Sequence, residues 1–315
     1  MPAQRHIVIV TGSRADLGLL APVMLAVKAH PTLKLSVIVT GAHLPTGTWR
    51  DVVQAGLPVT LKIPMQQKGR TGRAADVQAL ARGIAGLGQA FIKLQPDFVL
   101  VLGDRIEALA AGCAAQVGGI RLGHLHGGDR AEGVADESMR HAVSKLAHLH
   151  FPASPNSARR LIRMGEDPAR VFMVGSPAVD GLRDLVPADD EMLQQLGLNP
   201  ALPFVMICQH PIGGNLSQEK QWMQATLKAC GRVQALVLMP NLDPGREGIV
   251  RAIQSAKAAQ AKVIDHLPRP VFASVLMRAG AIVGNSSAGL IEAAVLGVPC
   301  INIGPRQHGR DKPRP

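Results

Sequence analysis

The feature that most constrains this fold is a repeated pattern of a short apolar run, a turn and a helix with an apolar face. In the first half the runs are HIVIV (6–10), LSVIVTG (35–41), FVLVLGD (98–104) and IRLGHL (120–125). In the second half they are FVMICQHP (204–211), QALVLMPN (234–241), AKVIDH (261–266) and AGAIVGNSS (279–287). Strands that alternate with helices form parallel, doubly wound sheets. We therefore predict an α/β protein with two Rossmann-like domains.

The domain boundary is predicted near VPADDEMLQQLGLNPALP (186–203), which is typical of a linker with one short helix. We expect an N-terminal domain over residues 1–180 and a C-terminal domain over 181–315. Helices are predicted at 70–94 and 107–117, and a strand at VFMVGSP (171–177) is expected to close the first half. Hydrophobic residues make up 47% of the chain and aromatic residues only 3%. This composition suits buried parallel strands built from aliphatic side chains.

The formal charge of +11 favours an anionic partner, either nucleic acid, a membrane surface or a phosphorylated small molecule. Proteins that bind nucleic acid usually cluster their basic residues or interleave them with aromatic ones. Here the basic residues are scattered, and the densest group, RQHGRDKPRP (306–315), is consistent with a solvated segment. We expect a phosphorylated small ligand and no nucleic acid. The sequence contains neither GxGxxG nor GxxxxGK[ST], which disfavours a nicotinamide enzyme or a P-loop ATPase.

The four cysteines stand singly in apolar surroundings at positions 113, 208, 230 and 300. Without CxxC spacing they indicate reduced core residues of a cytosolic protein rather than disulfides or zinc ligands. The start of the chain, MPAQRHIVIV, lacks the long apolar run of a signal peptide, and no stretch approaches the length of a membrane span. We expect a cytoplasmic protein without a membrane partner.

Candidate site residues follow from the rule that ligands of such sheets bind beyond the carboxyl ends of the strands. In the first half the rule selects Ser13, Arg14, Asp16, Asp104, Arg105 and the run from His124 to Asp129. In the second half it selects His210, Asn241, Asp243 and the GNSSAG turn (284–289). Residues far apart in sequence are therefore expected to converge at the sheet edges.

Two turns are candidate anion sites. Arg14 follows a Thr-Gly-Ser turn and precedes a helix, so it either binds an anion or is exposed to solvent. In GNSSAGLIEAAVLGVP (284–299) we expect a helix to begin at the turn and end at Gly297. Ser286, Ser287 and free amides would suit a diphosphate there, with Glu292 about two turns into the helix. The alternative is N-capping, for which one serine would suffice, so the second serine and Gly289 favour a ligand.

The segment HLHGGDRAEGVADESMRH (124–141) has three readings. His124 and His126, with Asp129, have a spacing used by metal ligands. The acidic pair Asp136 and Glu137, followed by Arg140 and His141, suits acid/base chemistry, because neighbouring groups can hold the pKa values apart. The third reading is an exposed polar loop. Asp104, in GDRIE (103–107), is likewise either a catalytic carboxylate or a capping group.

Taken together, these motifs resemble the UDP-N-acetylglucosamine 2-epimerase family, specifically its hydrolysing branch, which makes N-acetylmannosamine for sialic-acid-type sugars. The matching stretches include TGSRADLGLLAPV (11–23), GDRIEALAA (103–111), HLHGGDRAEGVADESMRHAVSKLAHLHF (124–151), CQHP (208–211) and GNSSAGLIEAAVLGVPCINIGPRQHGR (284–310). The resemblance implies a glycosyltransferase-B-like fold with a UDP-sugar bound between two domains. It also implies a homo-oligomer, either a dimer or a tetramer, that requires no metal and no cofactor.

The resemblance assigns roles to individual positions. The catalytic residues would be Asp104, His126, Asp136 and Glu137. The substrate-binding residues would be Arg14, Arg105, Asp129, Arg140, His210, Asn241, Ser286, Ser287, Gly289, Glu292 and Arg306. Uridine and diphosphate would be held mainly by the second domain, and Arg14 would reach across from the first. The expected reaction eliminates UDP, forms a glycal, and adds water with inversion at C2.

The chain departs from the family pattern at two site positions. Asp129 stands where relatives often have Glu, and the loop to Asp136 is one residue longer. His126 stands where some relatives carry Glu or Gln, so an imidazole would replace a carboxylate as the C2 base. Relatives also continue beyond RQHGRDKPRP, so we expect a C-terminally truncated form.

The alternatives are a non-hydrolysing epimerase, a glycosyltransferase on the same fold, a metal-dependent hydrolase using His124 and His126, and a binding-only protein. GDR and HGGD argue against the non-hydrolysing branch, which has GDT and EAG.

Overall fold

The computed structural model describes residues 4–70, 72–130, 136–241, 243–256 and 261–309, with the side chain of Asp136 left out. These residues form two compact units. The first contains residues 4–130 and 136–177, and the second contains residues 178–309.

The first unit is built on a six-stranded sheet with the strand order β3-β2-β1-β4-β5-β6. All of its strand pairs are parallel, and this order is the one found in Rossmann folds. The strands are β1 (Arg5–Thr11), β2 (Leu33–Val39), β3 (Leu61–Lys62), β4 (Phe98–Leu102), β5 (Arg121–Leu125) and β6 (Leu149–Phe151). The helices are α1 (Arg14–Ala29), α2 (His43–Thr46), α3 (Trp49–Gln54), α4 (Arg73–Leu94), α5 (Ile106–Val117), α6 (Asp136–Leu146) and α7 (Pro155–Arg163).

Side chains of the central strands alternate between two buried cores. Val8 and Val10 of β1 lie in one core with Leu87 of α4, whereas Ile9 lies in the other core with Leu20 of α1. The alternation follows from the two-residue period of a strand. Both faces of the sheet are therefore covered, which explains why the strands are almost continuously apolar.

The second unit repeats this design with a five-stranded parallel sheet of order β11-β10-β7-β8-β9. Its strands are β7 (Phe204–Cys208), β8 (Gln234–Leu238), β9 (Ala261–Ile264), β10 (Ala281–Gly284) and β11 (Cys300–Asn302). Its helices are α8 (Asp190–Gln195), α9 (Leu216–Cys230), α10 (Arg246–Ser255), α11 (Arg269–Arg278) and α12 (Glu292–Val295). Two apolar cores again lie on opposite faces of the sheet. The prediction of two Rossmann-like α/β domains is confirmed.

Three local predictions are wrong. Val171 makes only an isolated bridge to His150, and residues 172–174 are exposed, so VFMVGSP forms no strand of the kind predicted. The GNSSAG turn continues as a 3-10 turn over Ser287–Gly289, and α12 begins only at Glu292. Two serines and a glycine are poor helix formers, which accounts for the delay. Cys300 is exposed because β11 lies at the edge of its sheet. In the described part of the chain, no helix is both long and apolar enough to cross a membrane.

Candidate active site

The turn after β1 is organised by its own helix cap. Ser13 caps α1 in a capping box with Asp16, whose carboxylate accepts hydrogen bonds from the backbone N–H groups of Gly12 at 2.7 Å and Ser13 at 2.6 Å. The Nε atom of Arg14 donates to Asp51 Oδ2 at 2.9 Å. Asp16 therefore already binds backbone donors of this turn, and Arg14 is held in an ion pair on the first unit.

Arg140 joins three of the predicted site segments. It projects from α6, is only 3% exposed, and forms an ion pair with Asp104 in the loop after β4. Its Nη1 atom also donates to the backbone carbonyl of His126 at 3.1 Å. A buried charge is tolerated when it is paired and hydrogen-bonded. Arg140 thus fixes Asp104 and His126 against the same helix.

His126 is the centre of a hydrogen-bonded chain of three side chains. Its Nδ1 atom lies 2.9 Å from Asp129 Oδ2, and its Nε2 atom lies 2.9 Å from Ser176 Oγ. A carboxylate only accepts hydrogen bonds, so Nδ1 donates to Asp129, while Nε2 lies within hydrogen-bond distance of the Ser176 hydroxyl. The backbone of His126 has φ = 60°, which is unusual for a residue with a side chain. The Ser-His-Asp arrangement matches a geometry that moves protons in other enzymes.

His124 makes a separate set of contacts inside the core. It is fully buried, its Nε2 donates to the Gly103 carbonyl at 2.7 Å, and its Nδ1 lies 3.1 Å from Ser144 Oγ. Burial lowers its pKa to about 4. Both ring nitrogens of His124 and of His126 are thus engaged by protein groups. Among the described residues, no group of three or more His, Cys, Asp or Glu is arranged to hold a metal ion.

Glu137 lies one turn before Arg140 on α6. Its Oε1 atom is 3.6 Å from Arg130 Nε and 3.6 Å from His141 Nε2, and 24% of its side chain is exposed. Two basic neighbours therefore flank a carboxylate that is accessible to solvent. Asp136 begins α6, but its side chain lies outside the described residues.

Glu107 and Ser176 were not selected as site residues from the sequence. The Glu107 side chain is 3% exposed; its Oε1 accepts from Gln66 Nε2 at 2.8 Å, and its Oε2 lies 3.4 Å from Arg105 Nε. A Cβ atom on Gly12 or Gly41 would overlap this carboxylate. Loops after four strands therefore meet on Glu107. The signal in the GDRIE motif was Glu107, an acidic residue at the start of an otherwise apolar helix. Such a helix is expected to be buried, and a charged residue is rarely buried unless it has a partner. Ser176 carried no such signal.

In the second unit, His210 and Asn285 hold two strand ends together. The Asn285 side-chain amide accepts from the His210 backbone N–H at 2.7 Å and donates to its carbonyl at 2.8 Å. His210 Nδ1 accepts from the Asn241 backbone N–H at 3.2 Å. Burial, followed by the positive charge of Arg306, lowers the pKa of His210 to about 4. The ring is therefore neutral near pH 7, with its proton on Nε2.

Arg306 reaches the same strand ends from the loop after β11. Its Nη2 atom lies 3.7 Å from Asp243 Oδ2, and its Nη1 donates to the Asn285 carbonyl at 3.4 Å. Gln307 also donates to this carbonyl, at 2.7 Å. The structure thus brings His210 and Asn241 together, as the strand-end rule predicts, and places Arg306, which the family resemblance selected, beside Asp243 and Asn285.

The serine turn departs from its predicted geometry. Ser286 caps the 3-10 turn by accepting from the Ala288 N–H at 3.3 Å, and Ser286, Ser287 and Glu292 are half-buried. The argument that a regular helix begins at this turn is wrong, since α12 starts at Glu292. Gly289 has a packing reason of its own, because a Cβ there would overlap the Cys300 sulfur.

Nearly the whole chain is similar to known proteins. Residues 25–314 match the family described as UDP-N-acetylglucosamine 2-epimerase. The chain is 35% identical to the UDP-N,N'-diacetylbacillosamine 2-epimerase (hydrolyzing) of Legionella pneumophila, over 98% of this chain and 83% of the relative. It is 31% identical to the GDP/UDP-N,N'-diacetylbacillosamine 2-epimerase (hydrolyzing) of Campylobacter jejuni, over 98% of this chain and 82% of the relative.

Its fold resembles the crystal structure of UDP-GlcNAc 2-epimerase from Neisseria meningitidis bound to UDP-GlcNAc. The TM-score is 0.79 at 20% identity, over 94% of this chain and 81% of that one. The resemblance inferred from the motifs is confirmed: the chain belongs to the UDP-N-acetylglucosamine 2-epimerase family.

Proposed function

We propose that this protein is a hydrolysing 2-epimerase that converts UDP-GlcNAc, or a diacetamido analogue, into UDP and the corresponding 2-epimeric free sugar. Family membership supports the reaction class, and two relatives named as hydrolysing enzymes support the branch. The observation that carries the proposal is the chain Ser176–His126–Asp129, which is anchored beside Asp104 by Arg140. These side chains lie at the carboxyl edge of one sheet, which supports a role in proton transfer.

The reaction needs such groups because the proton on C2 of the sugar is not acidic. Breaking the bond between C1 and the diphosphate oxygen develops positive charge on C1, and the C2 proton then becomes removable. Loss of UDP and of this proton leaves a glycal with a C1–C2 double bond. Water adds its hydroxyl at C1, while C2 receives a proton on the opposite face, which inverts C2. Two proton-transfer groups are required, each contributing about 10²–10⁴-fold in rate.

In our proposal, His126 is the base that removes the C2 proton through the Ser176 hydroxyl. Ser176 Oγ takes the C2 proton while its own proton passes to His126 Nε2, and Asp129 stabilises the resulting imidazolium. Glu137, together with Asp136, returns a proton to the other face. The Asp104 carboxylate stabilises the positive charge at C1, with Arg140 holding its position. In this proposal an imidazole can replace a carboxylate base because the Asp129 carboxylate is hydrogen-bonded to the other ring nitrogen of His126.

The remaining substrate contacts are assigned from their chemistry. On the first domain, Arg14 and Arg105 provide cations for the diphosphate or the sugar. On the second domain, the Nε2–H of His210 and the guanidinium of Arg306 would donate to phosphate oxygens as the leaving group gains charge. Asn241, Ser286, Ser287 and Glu292 would bind uridine and ribose, and Gly289 would hold their turn against Cys300. We propose accordingly that the second domain binds the nucleotide and the first carries out the sugar chemistry.

The setting of the activity is also a proposal. Four free cysteines are consistent with the reducing cytoplasm. The product would be an N-acetylmannosamine-type sugar used for sialic-acid-type compounds, and the enzyme would work as a homo-oligomer.

Incubation with UDP-GlcNAc in deuterated water, followed by NMR, tests the proposed chemistry. The expected product is free N-acetylmannosamine that carries deuterium at C2. Release of sugar without C2 deuterium would rule out elimination, and UDP-N-acetylmannosamine as product would assign the protein to the non-hydrolysing branch. Ser176→Ala and His126→Gln should each slow deuterium incorporation strongly. His30→Gln, which changes an exposed histidine, should leave incorporation unchanged.

A further inference from the structure

One face of α7 and the loop after β5 enclose a cavity that the proposed reaction does not use. Its volume is about 310 Å³, and the described residues that line it are Arg130, Asn156, Arg159, Arg160 and Arg163. Four guanidinium groups and one amide therefore surround a single space. The four helical residues are spaced i, i+3, i+4 and i+7, which places them along one face of α7.

The helix alone does not explain this arrangement. Arginines in the last turn interact favourably with the helix macrodipole, and this accounts for Arg160 and Arg163. It does not account for Arg159 on the same face. Like charges four residues apart destabilise a helix by a few tenths of a kcal/mol. A bound anion would offset this repulsion, so that the arginines would stabilise the helix.

Several contacts hold the basic side chains in place. Arg159 donates to the Asn156 side-chain oxygen, and Arg160 donates to the Gly128 carbonyl. Arg130 lies 3.6 Å from the Glu137 carboxylate. Arg159 and Arg163 are exposed at the cavity. The site therefore combines fixed donors with accessible ones, as a pocket for an anion requires.

We propose that this cavity binds a small molecule carrying at least two phosphate or carboxylate groups. A volume near 310 Å³ lies at the lower end of the range for small-molecule sites, and its concave form favours a compact ligand over nucleic acid. Arginine forks match carboxylate and phosphate oxygens equally well, so the shared chemistry is a multiply charged oxyanion.

The cavity is also joined to the catalytic loop. Gly128 packs so closely on α7 that a Cβ would overlap the Ser157 carbonyl, and the Ser157 hydroxyl donates to Asp129 Oδ1 at 2.7 Å. An anion that fixes Arg160 and Arg130 would therefore restrain the loop that carries His126 and Asp129. Any effect of the anion on turnover rests on the proposed function, whereas binding itself does not.

Calorimetric titration of the full chain, saturated with UDP, with inorganic pyrophosphate and separately with citrate tests the proposal. We expect one equivalent of at least one probe to bind, and Arg159→Gln/Arg163→Gln to weaken its binding by about 10- to 100-fold, since two charge-assisted contacts are lost. The matched control Arg73→Gln/Arg251→Gln removes the same charge from exposed helical positions and should bind like the wild type. The relative affinity of the two probes distinguishes a phosphate from a carboxylate ligand.

Three results would overturn the proposal. Unchanged affinity in the double variant would show that the probe binds elsewhere. Failure of both probes to bind the UDP-saturated protein, together with a raised KM for the UDP-sugar in the double variant, would make the cavity part of the substrate site. A single-stranded oligonucleotide that depends on the same arginines and binds more tightly than either probe would replace the small molecule. Because binding is measured without turnover, a protein that lacks epimerase activity still gives a decisive answer.

Discussion

Acidification should destabilise the first unit through His124. This residue is fully buried and its pKa is lowered to about 4, whereas an unfolded histidine has a pKa of about 6.5. Between these values the unfolded chain binds a proton that the folded chain does not, so stability rises with pH. The stabilisation is fully present above pH 6.5 and is lost progressively as the pH falls towards 4.

The magnitude follows from the two pKa values. Between pH 7.5 and pH 5.0, the free energy of unfolding should fall by about 2 kcal/mol through His124 alone. The physical reason is burial, which disfavours the charged ring; Nε2 already donates to the Gly103 carbonyl, and Nδ1 faces Ser144 Oγ. A second proton on Nδ1 would place a charge in the core and force the Ser144 hydroxyl to turn. His43 and His150 of the same unit also have pKa values lowered by burial, so the wild-type protein should lose more than this amount.

Urea unfolding of His124→Gln isolates the contribution. The chain has two tryptophans, Trp49 in the first unit and Trp222 in the second, so a Trp222→Phe background makes fluorescence report on the first unit alone. In this background, His124→Gln should reduce the difference in unfolding free energy between pH 7.5 and 5.0 by about 2 kcal/mol. The exposed control His30→Gln should retain the full difference. If His124→Gln retained it as well, the assignment of the pH dependence to this buried imidazole would be refuted.

Three further substitutions test the packing of the two sites. Glu107→Gln should lower kcat/KM for the UDP-sugar by about 10-fold, because Arg105 loses its charged partner, and a rate equal to the wild type would contradict that role. Gly41→Ala should reduce the unfolding free energy of the first unit by about 1–3 kcal/mol more than Gly56→Ala. Both glycines have positive φ, but only Gly41 faces the Glu107 carboxylate, whereas nothing lies within 4 Å of a Cβ at Gly56. Equal losses of stability would show that the contact with Glu107 does not contribute. Gly289→Ala should destabilise the second unit, and Cys300→Ala should restore both stability and substrate affinity. Affinity that stayed low in the restored protein would instead make Gly289 a ligand contact.

Most of the strands were predictable because they are compact apolar runs, whereas β3, β6 and β11 span only two or three residues each and were not predicted. The same runs predicted site residues at their ends, and His210 and Asn241 do meet in the second unit. Arg306, which only the family resemblance selected, lies near them. The GNSSAG turn shows where pattern reasoning fails. A glycine beside two serines suggests a phosphate loop, but Gly289 lies against Cys300, a residue eleven positions later that only the sheet brings close. Local composition cannot distinguish a glycine needed for a ligand from one needed for packing.

The first site shows a different limit, since its organising contacts join residues far apart in the chain. Ser176 lies 50 positions from His126, within a segment predicted as a strand. His126 itself adopts a positive φ, which no residue pattern predicts. The residues alone therefore left His126 and Asp129 as possible metal ligands or as part of a polar loop, and only the family resemblance made His126 a catalytic candidate. Only the placement of Ser176 on one ring nitrogen and Asp129 on the other turns the imidazole into a group that can pass a proton. The proposed role of His126 as the base thus depends on its two partners together, so Ser176→Ala and Asp129→Asn should each impair the reaction about as much as losing His126.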